Sequence, residues 1–101
     1  PRRAAMSGYG LTPRARADLK AIWTYSADRW SIEQADRYVG LLHDAMQIVA
    51  AEPRRWRSCD HIRSGYFKYS AGSHVLFFRR HESGIVVVRI LHQSMDFERH
   101  L

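Results

Sequence analysis

The stretch Ile85-Val86-Val87-Val88-Arg89-Ile90-Leu91-His92 decides how this chain is read. It is apolar except for Arg89 and His92, and its branched side chains lose χ1 freedom in a helix. Gly84 provides a turn residue before it, and Gln93-Ser94 ends the apolar run. Such a stretch predicts a strand well inside a sheet, covered on at least one face. The remaining residues have to supply its neighbours and its cover.

The neighbours lie immediately upstream. Tyr66–Tyr69 and His74–Arg80 read as strands, separated by Ser70-Ala71-Gly72-Ser73, and His81-Glu82-Ser83-Gly84 turns the second into the third. Three strands joined by tight turns predict an antiparallel meander. Strict alternation puts Val86, Val88 and Ile90 on one side, toward the cover. Ile85, Val87, Arg89 and Leu91 then face the other, more open side, where Lys68 and one of Arg79 or Arg80 are expected to join Arg89. Met95–Leu101 is too short to assign as a helix.

The cover comes from the first half. Thr12 is a suitable N-cap and Pro13 a suitable first helical residue. Ala15, Leu19, Ile22, Trp23 and Ser26 follow at helical spacing, which predicts a helix from Pro13 to Arg29. Ser31-Ile32-Glu33-Gln34 has the form of a capping box, with Gln34 expected to reach back to the Ser31 N–H. Ala35, Tyr38, Val39, Leu42, Ala45, Met46 and Val49 continue the second stripe until Glu52-Pro53 stops it. Tyr9-Gly10-Leu11 is expected to add a short edge strand. The fold class is therefore α+β in two layers, an N-terminal antiparallel helical hairpin packed on an antiparallel β-meander.

Composition narrows the setting. With 101 residues, 46% of them hydrophobic, the chain suits one domain over residues 9–101, preceded by a flexible basic leader at 1–8. That leader lacks the apolar core of a secretory signal, and no run approaches the roughly 18 apolar residues of a membrane span. Cys59 is the single cysteine, which excludes an internal disulfide and suits a reducing cytoplasm. The formal net charge is +6, and of sixteen basic residues only Lys20 and Lys68 are lysines. Arginine-rich surfaces suit carboxylates, phosphates and aromatic faces, so the charge is compatible with nucleic acid or an acidic protein as partner, although many basic proteins bind neither. Arg54, Arg55, Arg57 and Arg63 crowd around Trp56 in the irregular segment 53–65. They form either a phosphate-and-stacking surface or a solvated loop anchored by Trp56.

Candidate chemistry is limited. His43, His61, His74, His81 and His100 lack metal-ligand spacing, and neither a Gly-rich phosphate loop nor a nucleophile elbow is present. The expectation is no metal and no cofactor. Cleaving RNA through its 2′-OH requires a base, an acid and cations on the phosphate, for which Arg79, Arg89 and His92 are the candidates. Gln93, next to His92, cannot exchange protons near neutrality. His92 also reads as a structural residue closing the strand. Trp23, Tyr25, Trp30 and Tyr38 are more aromatic surface than a two-helix layer can bury, and the exposed remainder suits a partner helix.

Three segments carry a family resemblance: Ala17-Asp18-Leu19 with Ile22-Trp23-Thr24-Tyr25, then Ile62-Arg63-Ser64-Gly65, then Arg89-Ile90-Leu91-His92-Gln93. Their order and spacing, over nearly the whole chain, resemble the ParE branch of the RelE/ParE toxin superfamily. The resemblance implies a toxin of a type II toxin–antitoxin pair, neutralised by a ParD-like antitoxin whose tail wraps its groove. It also implies DNA gyrase as the target, poisoned by binding rather than by turnover. RelE-type relatives instead cleave messenger RNA on the ribosome. They often carry Tyr where this chain has Gln93 and Arg where it has His74. The residues expected to touch antitoxin or target are Trp23, Trp30, Lys68, Arg79, Arg80 and Arg89. The alternatives are a ribosome-dependent endoribonuclease and a basic nucleic-acid-binding domain.

Overall fold

The structure is a computed structural model that describes residues 8–101, so the expected basic leader lies, apart from Gly8, outside the described residues. The chain runs β1 (Gly8–Leu11), α1 (Pro13–Arg29), α2 (Ile32–Ala51), a 3₁₀ turn (Pro53–Arg55), β2 (Arg57–Ser58), β3 (Tyr66–Ala71), β4 (His74–His81), β5 (Gly84–His92) and α3 (Phe97–His100). Both helix starts follow their caps. Thr12 Oγ1 accepts from the Ala15 N–H at 3.1 Å, and Ser31 Oγ accepts from the Gln34 N–H at 3.0 Å. The expected return bond from the Gln34 side chain to the Ser31 N–H is not formed among the described residues; Gln34 lines a cleft instead.

Five strands form one sheet in the order β1-β5-β4-β3-β2. The meander β3–β4–β5 is antiparallel as expected, but β1 runs parallel to β5, so the sheet is mixed. That parallel contact depends on Gly84, whose φ is +157°. A Cβ there would lie 1.9 Å from the Gly8 carbonyl oxygen.

The expected face assignment is corrected by a β-bulge. Phe78 pairs with Val87 but Phe77 pairs with Arg89, leaving Val88 as the extra residue. Ile85, Val87 and Ile90 therefore face the helices with Leu76 and Phe78, rather than Val86, Val88 and Ile90. Val88 and Leu91 turn outward and join Cys59, Val75 and Phe77 in a second, smaller cluster. The outer face is thus less open than expected over its centre. Ile62, Tyr66, Phe97 and Leu101 pack against this cluster, and the Phe97 ring meets Phe77 edge-on at 4.9 Å. Trp56 anchors its loop, donating from Nε1 to the Val49 carbonyl at 2.6 Å and packing between Phe67 and Phe78.

Beyond Leu11, β1 stops covering β5 and the first turns of α1 take its place. Thr12 N–H donates to Val87 O and Thr12 Oγ1 to Val88 O. Asp18 then accepts from the Ile90 N–H at 2.9 Å and from Arg89 Nε and Nη2 at 2.8 and 2.9 Å. Arg89 donates its remaining Nη1 to the His100 carbonyl, which ties down the C-terminus. A bidentate pair with a third donor on the same carboxylate is among the stronger polar arrangements a protein makes.

Breaking one partner of this half-hidden pair leaves the other charge uncompensated. Arg89→Ala is expected to lower unfolding free energy by about 2–3 kcal/mol, with the double variant Arg89→Ala/Asp18→Ala costing less than the two single changes added together. Urea denaturation of the three variants checks this. Unchanged midpoints would show that the pair contributes nothing.

Candidate functional site

The sequence-predicted bases fall into three different environments. Lys68 lies opposite Phe77 and Arg57 opposite Lys68, which puts both cations on the outer face with Arg79, whose partner across the ladder is Tyr66. Arg63 places its guanidinium 5.5 Å from the Tyr66 ring. Among the described residues, Arg57, Lys68 and Arg79 have no acidic partner, so this corner carries uncompensated charge. Arg80 points to the other face and lies over Trp56 at 4.7 Å. Arg89 is committed to Asp18, and that hydrogen bond is the first reason its pKa is raised. The set Arg79, Arg89 and His92 therefore does not converge. Arg79 and His92 sit toward opposite ends of the β4–β5 ladder, separated by roughly 16 Å of strand.

The hairpin aromatics also divide. Trp23 is half-buried and donates to Asp36 Oδ1 at 2.8 Å, cross-linking the two helices. Trp30, at the turn between them, is 63% exposed and meets Tyr25 edge-on at 6.3 Å. Arg29 lies within 6 Å of both rings. A second apolar strip runs along the outer side of α2, where Leu41 and Ile48 are exposed beside Ala45 and Tyr69. Its groove encloses about 590 Å³. Sequence periodicity missed this strip because both residues fall just outside the buried stripe.

His92 has a partner that sequence reasoning left among the unassigned histidines. It lies opposite His74 across the β4–β5 ladder, with the rings edge-to-face at 5.3 Å. Tyr38 Oη lies 2.6 Å from His74 Nδ1 and accepts from the Ser73 N–H at 2.9 Å. When the tyrosine donates its proton to Nδ1, a neutral His74 carries its own on Nε2. His92 Nδ1 likewise accepts from the Ser94 N–H at 3.1 Å. Gly72, in the turn, has φ +59°, and a Cβ there would approach Tyr38 Oη to 2.7 Å. Glycine is what allows the tyrosine to reach the histidine. Burial, then the neighbouring His92 charge, push the His74 pKa below its ordinary value, against a smaller opposing pull from Asp18. Among the described residues no group of three or more His, Cys, Asp or Glu could hold a metal ion.

Comparison with known proteins gives a consistent result. The family model described as "ParE toxin of type II toxin-antitoxin system, parDE" matches residues 9–97. Toxin ParE1 of Mycobacterium tuberculosis is 50% identical over 96 residues, covering 94% of this chain and 98% of that protein. Toxin ParE1 of Caulobacter vibrioides is 41% identical over 96 residues, covering 95% and 99%. A solved structure of the chromosomal ParDE system from P. aeruginosa matches with TM-score 0.73 at 18% identity, over 84% of this chain and 94% of that one. At that identity the structural likeness speaks for the fold.

The depressed His74 pKa has a consequence for stability. The unfolded chain binds this proton more readily, so the folded state is favoured above the unfolded pKa of about 6.5 and loses that advantage as pH falls below it. Thermal melts of the wild type are expected to drop between pH 7 and pH 5, and His74→Gln to flatten that drop. An equal pH dependence in the variant would assign the effect elsewhere.

Proposed function

From the premise that the chain belongs to the ParE toxin family of type II toxin–antitoxin systems, we propose that it arrests growth by binding and poisoning DNA gyrase, and that a cognate ParD-like antitoxin neutralises it. The observation that best supports binding over turnover is the fate of Arg89. A ribonuclease would need that cation on the scissile phosphate, whereas here Asp18 and the His100 carbonyl occupy it. The exposed apolar strip of α2 and the uncompensated corner of Arg57, Lys68 and Arg79 are complementary kinds of surface. The strip offers a helical partner apolar anchors, and the corner attracts an acidic tail. Trp30 and Arg80 are assigned to the contact surface as well, Trp23 and Arg89 to supporting it. The protein acts in the cytoplasm in this reading; no helix among the described residues is long and apolar enough to cross a membrane.

Two assays run together test the target. Purified toxin is expected to inhibit supercoiling and trap cleaved DNA on gyrase, while ribosome-bound message stays intact. Cut message with normal supercoiling would overturn the proposal. For the antitoxin surface, Leu41→Glu/Ile48→Glu is expected to weaken antitoxin binding at least tenfold by calorimetry and to leave the toxin folded, since both side chains are already partly in water. Undiminished affinity would move the antitoxin off α2.

A further inference from the structure

The end of the molecule that holds His74 and His92 is also a cleft. It encloses about 530 Å³, a size common for small-molecule sites. Ala21, Ile22, Tyr25 and Trp30 give it an apolar and aromatic lining. No lining residue carries a fixed charge. What converges instead is a set of neutral hydrogen-bonding groups. Ser26 is only 5% exposed, lines the cleft, and its hydroxyl has no hydrogen-bond partner among the described residues. Gln34 adds an amide. His74 and His92 each have Nδ1 engaged, so each imidazole keeps its Nε2 for another partner.

An unpartnered buried hydroxyl costs free energy that a bound ligand recovers. The ligand this lining suits is flat, neutral and studded with ring acceptors and donors, and it stacks on an indole. We propose that the cleft binds a nucleobase, with Trp30 stacked on its face, Tyr25 at an angle to that stack, and Ser26, His74 and His92 on its edge. Arg29, within 6 Å of both aromatic rings, stands where the attached phosphate leaves the mouth. Imidazoles suit this task, because each Nε2 lies free to pair with a ring donor or acceptor. The base comes either from a free nucleotide or from an unstacked position in a nucleic-acid strand, and the recognition chemistry is the same for both. This inference does not rest on gyrase being the target.

The test uses the full chain with adenosine 5′-monophosphate and a short single-stranded oligodeoxynucleotide, followed by calorimetry and tryptophan fluorescence. Saturable binding is expected, weakened at least tenfold by Trp30→Ala and abolished by Ala21→Trp, which places an indole in the cleft. Both positions are solvent-accessible, so neither change threatens folding. Ser26→Ala is expected to weaken binding several-fold. Equal affinity for the two probes identifies a free nucleotide as ligand, and at least tenfold tighter binding of the strand identifies a base within nucleic acid. The proposal is overturned if the mononucleotide shows no saturation at millimolar concentration and the strand does not bind either. Strand binding that survives both Trp30→Ala and Ala21→Trp overturns it too, because it would belong to the basic corner of the sheet.

Discussion

The carboxylate of Asp18 does what a sixth strand would otherwise have to do. Once β1 ends, the outer edge of β5 presents backbone groups that need partners, and an open edge of that length invites pairing with another chain. Thr12 and Asp18 close it from the side, one residue capping the helix as well and the other neutralising Arg89. A single helix is thereby fixed to the sheet at two points along one strand. The Arg89 bond to the His100 carbonyl extends the same constraint to the C-terminal turn, which in turn helps hold Phe97 over Phe77.

That constraint changes how the charge of the chain should be read. Excess arginine is not one uniform surface. Arg54 and Arg55 share Glu52, and Arg99 pairs with Asp96, in exposed contacts that contribute little stability. Arg89 serves the fold, and Arg80 and Arg63 lie over aromatic rings. Arg14, Arg16, Lys20 and Arg37 are exposed on the helices, and on the sheet Arg57, Lys68 and Arg79 gather on one corner, with Arg80 exposed on the other face. Cys59, by contrast, is buried beneath its loop with its thiol pKa pushed up by burial, which makes it packing material rather than a nucleophile.

Most of the fold was legible because its signals are local. Thr12-Pro13 and Ser31 marked both helix starts, and the glycine-bearing turns marked the strand ends to within a residue or two. The sheet faces were not legible. Val86, Val87 and Val88 are interchangeable in size and polarity, so nothing in them marks which is the extra residue of a bulge. Of the candidate site, the residue types were visible but not their company. Asp18 lies off the apolar stripe of its helix, and nothing local marks its role, because its partner lies 71 positions away. Tyr38 and His74 meet across 36 positions. One signal was available: His74 opens the fourth strand and His92 ends the fifth, and the ends of a hairpin's arms lie side by side.

Even that signal would have failed by one residue without the bulge. From the turn as far as Phe78 and Val87 the ladder keeps one register, which if continued would set His74 opposite Leu91. The extra residue at Val88 shifts everything beyond it, so that His74 meets His92 and Phe77 meets Arg89. Both the ion pair that seals the sheet edge and the imidazole pair at its end lie beyond the bulge. A register slip in this strand would carry Arg89 away from Asp18 and separate the two histidines together. The stability of the edge and the assembly of the cleft are therefore set by the same irregularity.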